Sequence, residues 1–528
     1  MTQFERLATR NFVGARRVTV AALLALAGTG CNSDRLIATT EPDVVTPPEL
    51  QGKASLPSLL GGAISNFQVA FSGSSGLEGQ AVYSGLLADE LRITDTFGTR
   101  IEIDARSIQD NNSNATAVFR NLSVARGFAE QAAKAYVDLA STQTSATDTA
   151  NFKAGRSEAL ALAGFSYIFF AENYCADGIP FSDLEGDKII EGSPIPRDSI
   201  LRRALKRLDT AIAVAGTGVG LGLNITRLAR IGRARVYMNL ADTYGSAYLD
   251  SAVAAIGGTT ATPNGVTGVP TTYTYLVTHS ENTGRENNGI YTFNWGQLRL
   301  TETDTEGVNG IAYKRAFVNG VDVRTAWANA GVSFDGASNV SGTLKYPERR
   351  APVILASGAE ARLIEAEVAL RKGDVAGFVA AHNAIRAANT TYNQCYPLAV
   401  TQGTCTNPTA PLKTLTLTAP VGSDTLTQQQ EPGLGGSTTQ GSPSQVAREN
   451  FQFREKALYL YLTGHRLGDM RRLVRQYGRA VNTVFPSGKF VRGAANRPSY
   501  GNDVAFPVPF DEQNNSKYIG KSCDNTIP

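Results

Sequence analysis

The chain of 528 residues is long enough for several domains and a large core. Its formal net charge is +3 and only 18% of its residues are charged, which gives no electrostatic footprint for nucleic acid or for an anionic membrane surface. Residues 1–30 carry Arg6, Arg10, Arg16 and Arg17 against Glu5, so the chain that follows is near neutrality.

The basic start runs into an apolar stretch, Val18 to Ala27, then Gly28-Thr29-Gly30, Cys31 and polar Asn32-Ser33-Asp34. This order reads as a bacterial lipoprotein signal over residues 1–30, cut before Cys31, whose sulfur then carries lipid. The apolar stretch is half of the ~20 residues a bilayer-spanning helix needs. The expectation is therefore a chain anchored by acyl groups rather than one that spans. An ordinary secretory cut near Ala25-Leu26-Ala27 is the alternative, since Gly28 stands where such cysteines usually have Leu three residues before. The flanks of Arg16-Arg17 fit twin-arginine export poorly. Residues 31–55, with Glu41-Pro42 and Thr46-Pro47-Pro48, lack an apolar period and read as a tether.

From Leu56 onward apolar residues recur at helical spacing over Leu56–Phe71, Ala115–Ala140, Phe152–Tyr174, Ser199–Ala215, Ile225–Ala255, Ala359–Lys372, Val375–Ala388 and Val446–Tyr477. The fold class is mostly α, with helices in hairpins. Asp198 is placed as an N-cap, and Gly373-Asp374 as a C-cap followed by an N-cap. Ala234–Asp242 can be laid on Ala366–Asp374, a faint repeat whose small residues let paired helices approach, as in tetratricopeptide hairpins. Helices dominate to about residue 255. Residues 256–347 turn Gly/Thr/Asn-rich with short β-prone pieces, Thr272–Val277 and Ile290–Phe293, and read as a loop-rich lobe, the kind of region that carries function. Residues 405–445 are Thr/Gln/Gly/Pro-rich with little apolar content and read as a surface excursion or a mobile loop.

Cys175, Cys395, Cys405 and Cys523 remain once Cys31 is set aside, an even number suited to an oxidising compartment. Four cysteines allow three pairings. Cys395 and Cys405 bracket a short polar loop, and joining them leaves Cys175 to meet Cys523. Zinc fits poorly, because no Cys-x-x-Cys occurs and His279, His382 and His465 are scattered.

Near the C-terminus, Glu449-Asn450-Phe451-Gln452-Phe453-Arg454-Glu455-Lys456 leads through an apolar run to Thr463-Gly464-His465-Arg466-Leu467-Gly468-Asp469-Met470-Arg471-Arg472. This resembles the C-terminal helix of the SusD/RagB family of outer-membrane nutrient-binding lipoproteins, with Gly464, Arg466, Asp469 and Arg472 matching and Thr463 standing where a glutamate is expected. Ala359-Glu360-Ala361 through Gly373-Asp374, Phe506-Pro507-Val508-Pro509 with Glu512, Leu87-Ala88-Asp89-Glu90 and Ala171-Glu172-Asn173-Tyr174 are similar to other family pieces, in order. The resemblance covers essentially the whole chain after Cys31. It implies a SusD-like ligand-binding domain over 56–528, with a C-terminal part from about 348. It also implies a place on the outer membrane and delivery of oligosaccharide or another large nutrient to a TonB-dependent, SusC-like transporter. No cofactor, metal or chemistry of its own is implied. Independently of the family, Arg466 and Asp469 sit three apart on one helix face and can pair, with Arg472 extending the row.

No nucleophile elbow, His-Glu-x-x-His or phosphate loop occurs. A glycosidase would have to use Asp89, Glu90, Asp95, Asp304 or Glu306, each also explained as a helix-end or loop charge. A tetratricopeptide-like scaffold that binds only protein is a further alternative. For a glycan, flat aromatic faces stack on pyranose C–H groups while amides and carboxylates take the hydroxyls. Aromatics at helical spacing, such as Phe165 and Tyr237, belong to the core. The loop aromatics Trp295, Trp327, Phe97 and Tyr313, with Arg100, Asn294 and Asp304, are the candidate ligand residues.

Overall fold

A computed structural model describes residues 52–140, 145–185, 188–215, 220–257, 268–282, 284–304, 309–314, 323–388, 445–490, 492 and 498–528. Cys31, Cys395, Cys405 and Glu306 lie outside them. Residues 1–55 and 56–528 form two units. In the first, the described residues hold one 3-10 turn, Lys53–Ser55.

The second unit opens with α1 (Leu56–Ser72), α2 (Gln80–Leu87), β1 (Leu91–Ile93) and the short α3 (Gly98–Asp104). Next come α4 (Ser113–Asp138), α5 (Ala146–Asn173), two small hairpins β2 (Ile179–Pro180) with β5 (Pro194–Ile195) and β3 (Asp183–Glu185) with β4 (Lys188–Ile190), then α6 (Arg197–Ala215), α7 (Leu221–Tyr244) and α8 (Ala247–Ala255). Consecutive members of the series α4 to α8 pack side by side, with α1 against α4. The helical hairpins expected from the sequence are present. On α6, Ile200, Leu201, Ala204, Leu208 and Ala211 form one buried stripe, whereas α5 is buried on all sides from Ser157 to Asn173 and is the centre of the array. Gly164 and Gly232 let α5 and α7 close on Leu208: a Cβ at Gly164 would come within 2.8 Å of its side chain and one at Gly232 within 3.0 Å.

The loop-rich part holds β6 (Thr274–Val277), a one-turn α9 (Gly289–Tyr291) running into a π turn at Thr292–Gly296, β7 (Leu300–Glu302), β8 (Trp327–Val332), β9 (Asn339–Thr343) and β10 (Val353–Ser357). All described sheets are two-stranded and antiparallel: β1 pairs β7, β6 pairs β10 and β8 pairs β9. The expected strand at Ile290–Phe293 is helical instead. Asn288 caps it, accepting from Tyr291 N at 3.2 Å while its amide donates to Ala351 O at 2.7 Å.

The C-terminal part comprises α10 (Gly358–Arg371), α11 (Val375–Ala387), α12 (Gln445–Tyr459), α13 (Arg466–Tyr477) and the short α14 (Val481–Val484). Gly373 adopts φ 75°, and Asp374 accepts from Gly377 N at 2.8 Å, the C-cap and N-cap read from the sequence. Asp198 lies inside the first turn of α6 rather than at its cap, 3.1 Å from Arg197. Two helices expected to be continuous are broken. Gly245, at φ 83°, separates α7 from α8. Between α12 and α13 the chain turns through Leu462 (φ 53°) and Gly464 (φ 72°). Tertiary partners hold the second break: Leu462 N donates to Glu90 at 3.0 Å, Lys345 Nζ donates to Tyr461 O at 2.5 Å and Tyr346 donates to Leu462 O at 3.2 Å. Tertiary bonds thus take up backbone groups that the broken helix leaves open.

The chain closes beside the end of α5. Phe506 N donates to Asn173 O at 2.8 Å, and Cys175 N donates to Phe506 O at 3.0 Å. The Cys175–Cys523 disulfide forms there as expected, with Cα atoms 5.8 Å apart and a sequence separation of 348. Tethering a loop of that length restricts the unfolded chain strongly. Cys175→Ser or Cys523→Ser is expected to cost about 2–5 kcal/mol of stability. Calorimetry should show a lower Tm for either variant, and an unchanged Tm would remove this role.

Candidate functional site

Three loop segments meet to build an exposed platform. Thr94–Phe97 follows β1, Gln297–Arg299 precedes β7, and Ser333–Asp335 lies in the β8–β9 turn. Backbone bonds zip them together: Thr94 N to Arg299 O at 2.7 Å, Phe334 N to Leu298 O at 2.9 Å and Asp335 N to Thr94 O at 3.1 Å, with the Thr94 hydroxyl donating to Leu298 O at 3.0 Å. Leu298, receiving two of these bonds, sits at φ 55°, a conformation that costs a branched residue about 1–3 kcal/mol and persists where its surroundings over-determine it.

The platform presents two rings. Phe97 is 46% exposed and Phe334 49% exposed, with centroids 6.2 Å apart. The Arg299 guanidinium lies 4.2 Å from the Phe334 centroid and 4.8 Å from that of Phe97, and Arg100 lies 5.0 Å from Phe97. Buried Asp95 aims both cations, accepting from Arg100 at 2.9 Å and Arg299 at 3.4 Å, and also takes Phe97 N at 2.9 Å. Glu78 holds the other side of Arg100. Opposite, Asp335 pairs with Arg492 at 2.6 Å. The two guanidiniums hold the rings in place.

Of the residues singled out in the sequence, the platform brings together Phe97 and Arg100. Trp295, Asn294 and Tyr313 are consumed by packing. Trp295 lies over Gly342, which leaves room for the indole, and donates to Thr343 O at 2.8 Å. Asn294 bonds Leu300 O at 2.8 Å, Ser341 O at 3.1 Å and Thr343 N at 2.8 Å. Tyr313 stacks on Tyr461 at 4.7 Å and is fully buried. These three have no face to offer a ligand. Trp327 is half-buried on β8, donating to Lys314 O at 3.0 Å, and Asp304 is partly exposed after β7. Sequence reasoning missed Phe334 and Arg299. The aromatic-in-a-turn signal that selected Trp327 is also present in Val332-Ser333-Phe334-Asp335-Gly336.

The motif residues converge elsewhere, in a buried charge cluster joining α5, α7, α10, α12 and α13. Arg235 donates to Glu172 at 2.8 and 3.0 Å, Asn239 donates to Glu172 at 2.7 Å, and His465 Nε2 lies 2.8 Å from Arg235 and 3.0 Å from Glu360. Next to them Lys456 bridges Asp469 at 2.5 Å and Glu367 at 3.2 Å, Arg472 pairs with Glu367 and, at 3.3 Å, with Asp469, and Tyr477 donates to Glu367 at 2.8 Å. The expected Arg466–Asp469 pair does not form. Asp469 instead turns to Lys456 and Arg472, and Arg466 is buried within the field of Glu90. A cavity of about 20 Å³ inside this cluster is room for one water.

This architecture decides the comparison with known structures. A SusD/RagB family protein of Bacteroides thetaiotaomicron aligns with TM-score 0.55 and 10% identity over 87% of this chain and 95% of its own. A SusD homolog of Bacteroides uniformis gives TM-score 0.59 and 13% identity over 89% and 98%. A Bacteroides vulgatus protein named for sugar binding gives TM-score 0.54 and 15% identity over 90% and 98%. The fold is that of SusD/RagB proteins. No protein-family model matches the sequence, and no curated protein does.

On this SusD-type fold the structure also joins Ser72 to His279, with Oγ 2.9 Å from Nε2. That serine is fully buried and donates to Gln68 O at 2.9 Å, and desolvation pushes the part-exposed imidazole down to about 4. Asp89, Glu90 and Asp95 are likewise buried. Among the described residues no group of three His, Cys, Asp or Glu could hold a metal, and no helix is long and apolar enough to cross a membrane.

Burial would raise the Glu367 carboxyl, but Arg472 and Lys456 prevail and hold it at about 2, against an ordinary 4.5. A depressed carboxylate stabilises the fold above pH 4.5 and loses that contribution as pH falls through 2. Glu367→Gln is expected to cost about 3–5 kcal/mol at neutral pH by stranding the cations. It should also flatten the fall in Tm across that acid window. A variant with wild-type stability at both pH values would sink the assignment.

Proposed function

We propose that the mature chain is a lipid-anchored protein of the bacterial outer membrane. It binds an oligosaccharide or other large nutrient and passes it to a TonB-dependent, SusC-like transporter without transforming it. The observation that carries this reading is the pair of exposed rings, Phe97 and Phe334, locked by Arg299 on a three-loop frame. Support comes from the SusD-type fold and from the lipoprotein-like start ending at Cys31. Apolar ring faces suit the C–H side of a pyranose, and the partly exposed guanidiniums beside them can donate to hydroxyls. Half-exposed rings covered by ligand would each contribute about 1–2 kcal/mol.

Calorimetry against a panel of glycans and peptides tests the site. Phe97→Ala/Phe334→Ala is expected to weaken the best ligand at least about tenfold with an unchanged Tm. Equal affinity of the variant would refute the platform, and silence across the panel would favour a scaffold that binds protein only.

The anchor has its own test. Labelled palmitate should enter the wild-type protein and not Cys31→Ala, which should leave the membrane fraction. An unlabelled wild-type protein would end the lipoprotein reading.

A further inference from the structure

The exposed residues of the platform's loops carry no charge. Between residues 94 and 100 they are Thr96, Phe97 and Gly98, and between 331 and 336 they are Val332, Phe334 and Gly336, while Gln297 to Arg299 are half-buried. Leu77, in the loop that carries Glu78, is exposed as well. The charged residues of the same frame are drawn in: Arg100, Arg299, Arg492 and Asp335 are half-buried, and Glu78 and Asp95 are buried.

The guanidiniums are already committed. Arg100 gives Nε to Glu78 and Nη1 to Asp95 at 2.9 Å, and it lies over the rings of Phe97 and Phe293, 5.0 and 5.3 Å from their centroids. Arg299 gives Nη1 to Asp95 at 3.4 Å. Arg492 gives Nη1 to Ile93 O at 3.1 Å and Nη2 to Asp335 at 2.6 Å. Desolvation would raise the Asp335 carboxyl, but bonds from Ser333 and Ala337 and the charges of Arg492 and Arg92 hold it below the ordinary carboxylate range, so it stays ionised. Four arginines thus face three carboxylates, an excess of one charge over the whole frame.

We infer that the platform takes a neutral glycan, a chain of hexose or pentose units without uronate or sulfate groups, an assignment that rests on the glycan reading of the two rings. A carboxylate or sulfate is held best by two parallel N–H groups of one guanidinium. Here the protein's own acceptors take N–H groups on both sides of Arg100 and Arg492. An acidic ligand would also lie beside Glu78, Asp95 and Asp335, where like charge repels it. Hydroxyls need only single N–H donors and bring no charge. The C–H faces of the sugar meet the exposed rings.

Binding of the full chain to an array of glucans, mannans, galactans and fructans, with polygalacturonate, alginate and chondroitin sulfate as the acidic members, tests the inference. The best ligand should be neutral, and its Kd should change less than about twofold between low and high salt. Phe97→Ala/Phe334→Ala should weaken it about tenfold. Asp335→Asn, which removes the carboxylate from Arg492, should bind polygalacturonate at least about threefold more tightly than wild type. Wild-type preference for an acidic polymer that Phe97→Ala/Phe334→Ala abolishes would overturn the neutral assignment and leave the platform standing, as would unchanged polygalacturonate binding by Asp335→Asn. Silence across the array, or equal binding by Phe97→Ala/Phe334→Ala, would instead remove the platform reading on which the assignment rests.

Discussion

Everything in the second unit is registered by a set of charges buried between helices that are far apart in sequence. Glu172 at the end of α5, Arg235 in α7, Glu360 and Glu367 in α10, Lys456 in α12 and His465, Asp469 and Arg472 at the start of α13 meet within hydrogen-bonding or ion-pairing reach of one another. Each group is almost wholly out of water, where desolvation costs several kcal/mol per ion and only a matched partner offsets it. Such a cluster adds little net stability over an apolar core, but it penalises any sliding of one helix past the next. Its value is positional.

The consequences run outward from there. With α13 fixed by Asp469 and Arg472, the chain between α12 and α13 must turn, and Glu90, Lys345 and Tyr346 supply the bonds that the broken helix gives up. Burial pushes Glu90 up to about 7 and Lys345 down to about 7, so neither is a fully committed charge at neutral pH. Glu90 directly precedes β1, and Thr94 to Phe97 directly follow it. The exposed rings therefore hang from the same core, through one strand and three zipped loops, and the left-handed Leu298 is held by that frame. A binding surface made of loops gains rigidity in this way without being buried.

How much of this was legible differs by element. The helices α1, α4, α5, α6, α10 and α11 follow from apolar period alone, because a stripe at helical spacing needs no knowledge of its partner. Breaks at Gly245 and at Leu462 to Gly464 were not, since the bonds that hold the second come from Glu90, Lys345 and Tyr346. Ile290–Phe293 has strand propensity but is helical because Asn288 caps it and Ala351 orients that cap. Trp295 and Phe97 look alike in sequence, aromatic residues in polar loops. One fills the space over Gly342 and the other faces water.

Of the three pairings the four cysteines allow, the fold closes Cys175–Cys523. The helical hairpins, the caps at Gly373-Asp374 and the motif residues that form the buried cluster were legible in the chain alone. These depend on local periodicity, on backbone needs of single residues, or on charges that must find opposites once buried. Packing chose which opposites they found, where two helices end, and which aromatics remain outside. Burial is a property of what packs against a residue, and that is fixed by chain segments hundreds of positions away.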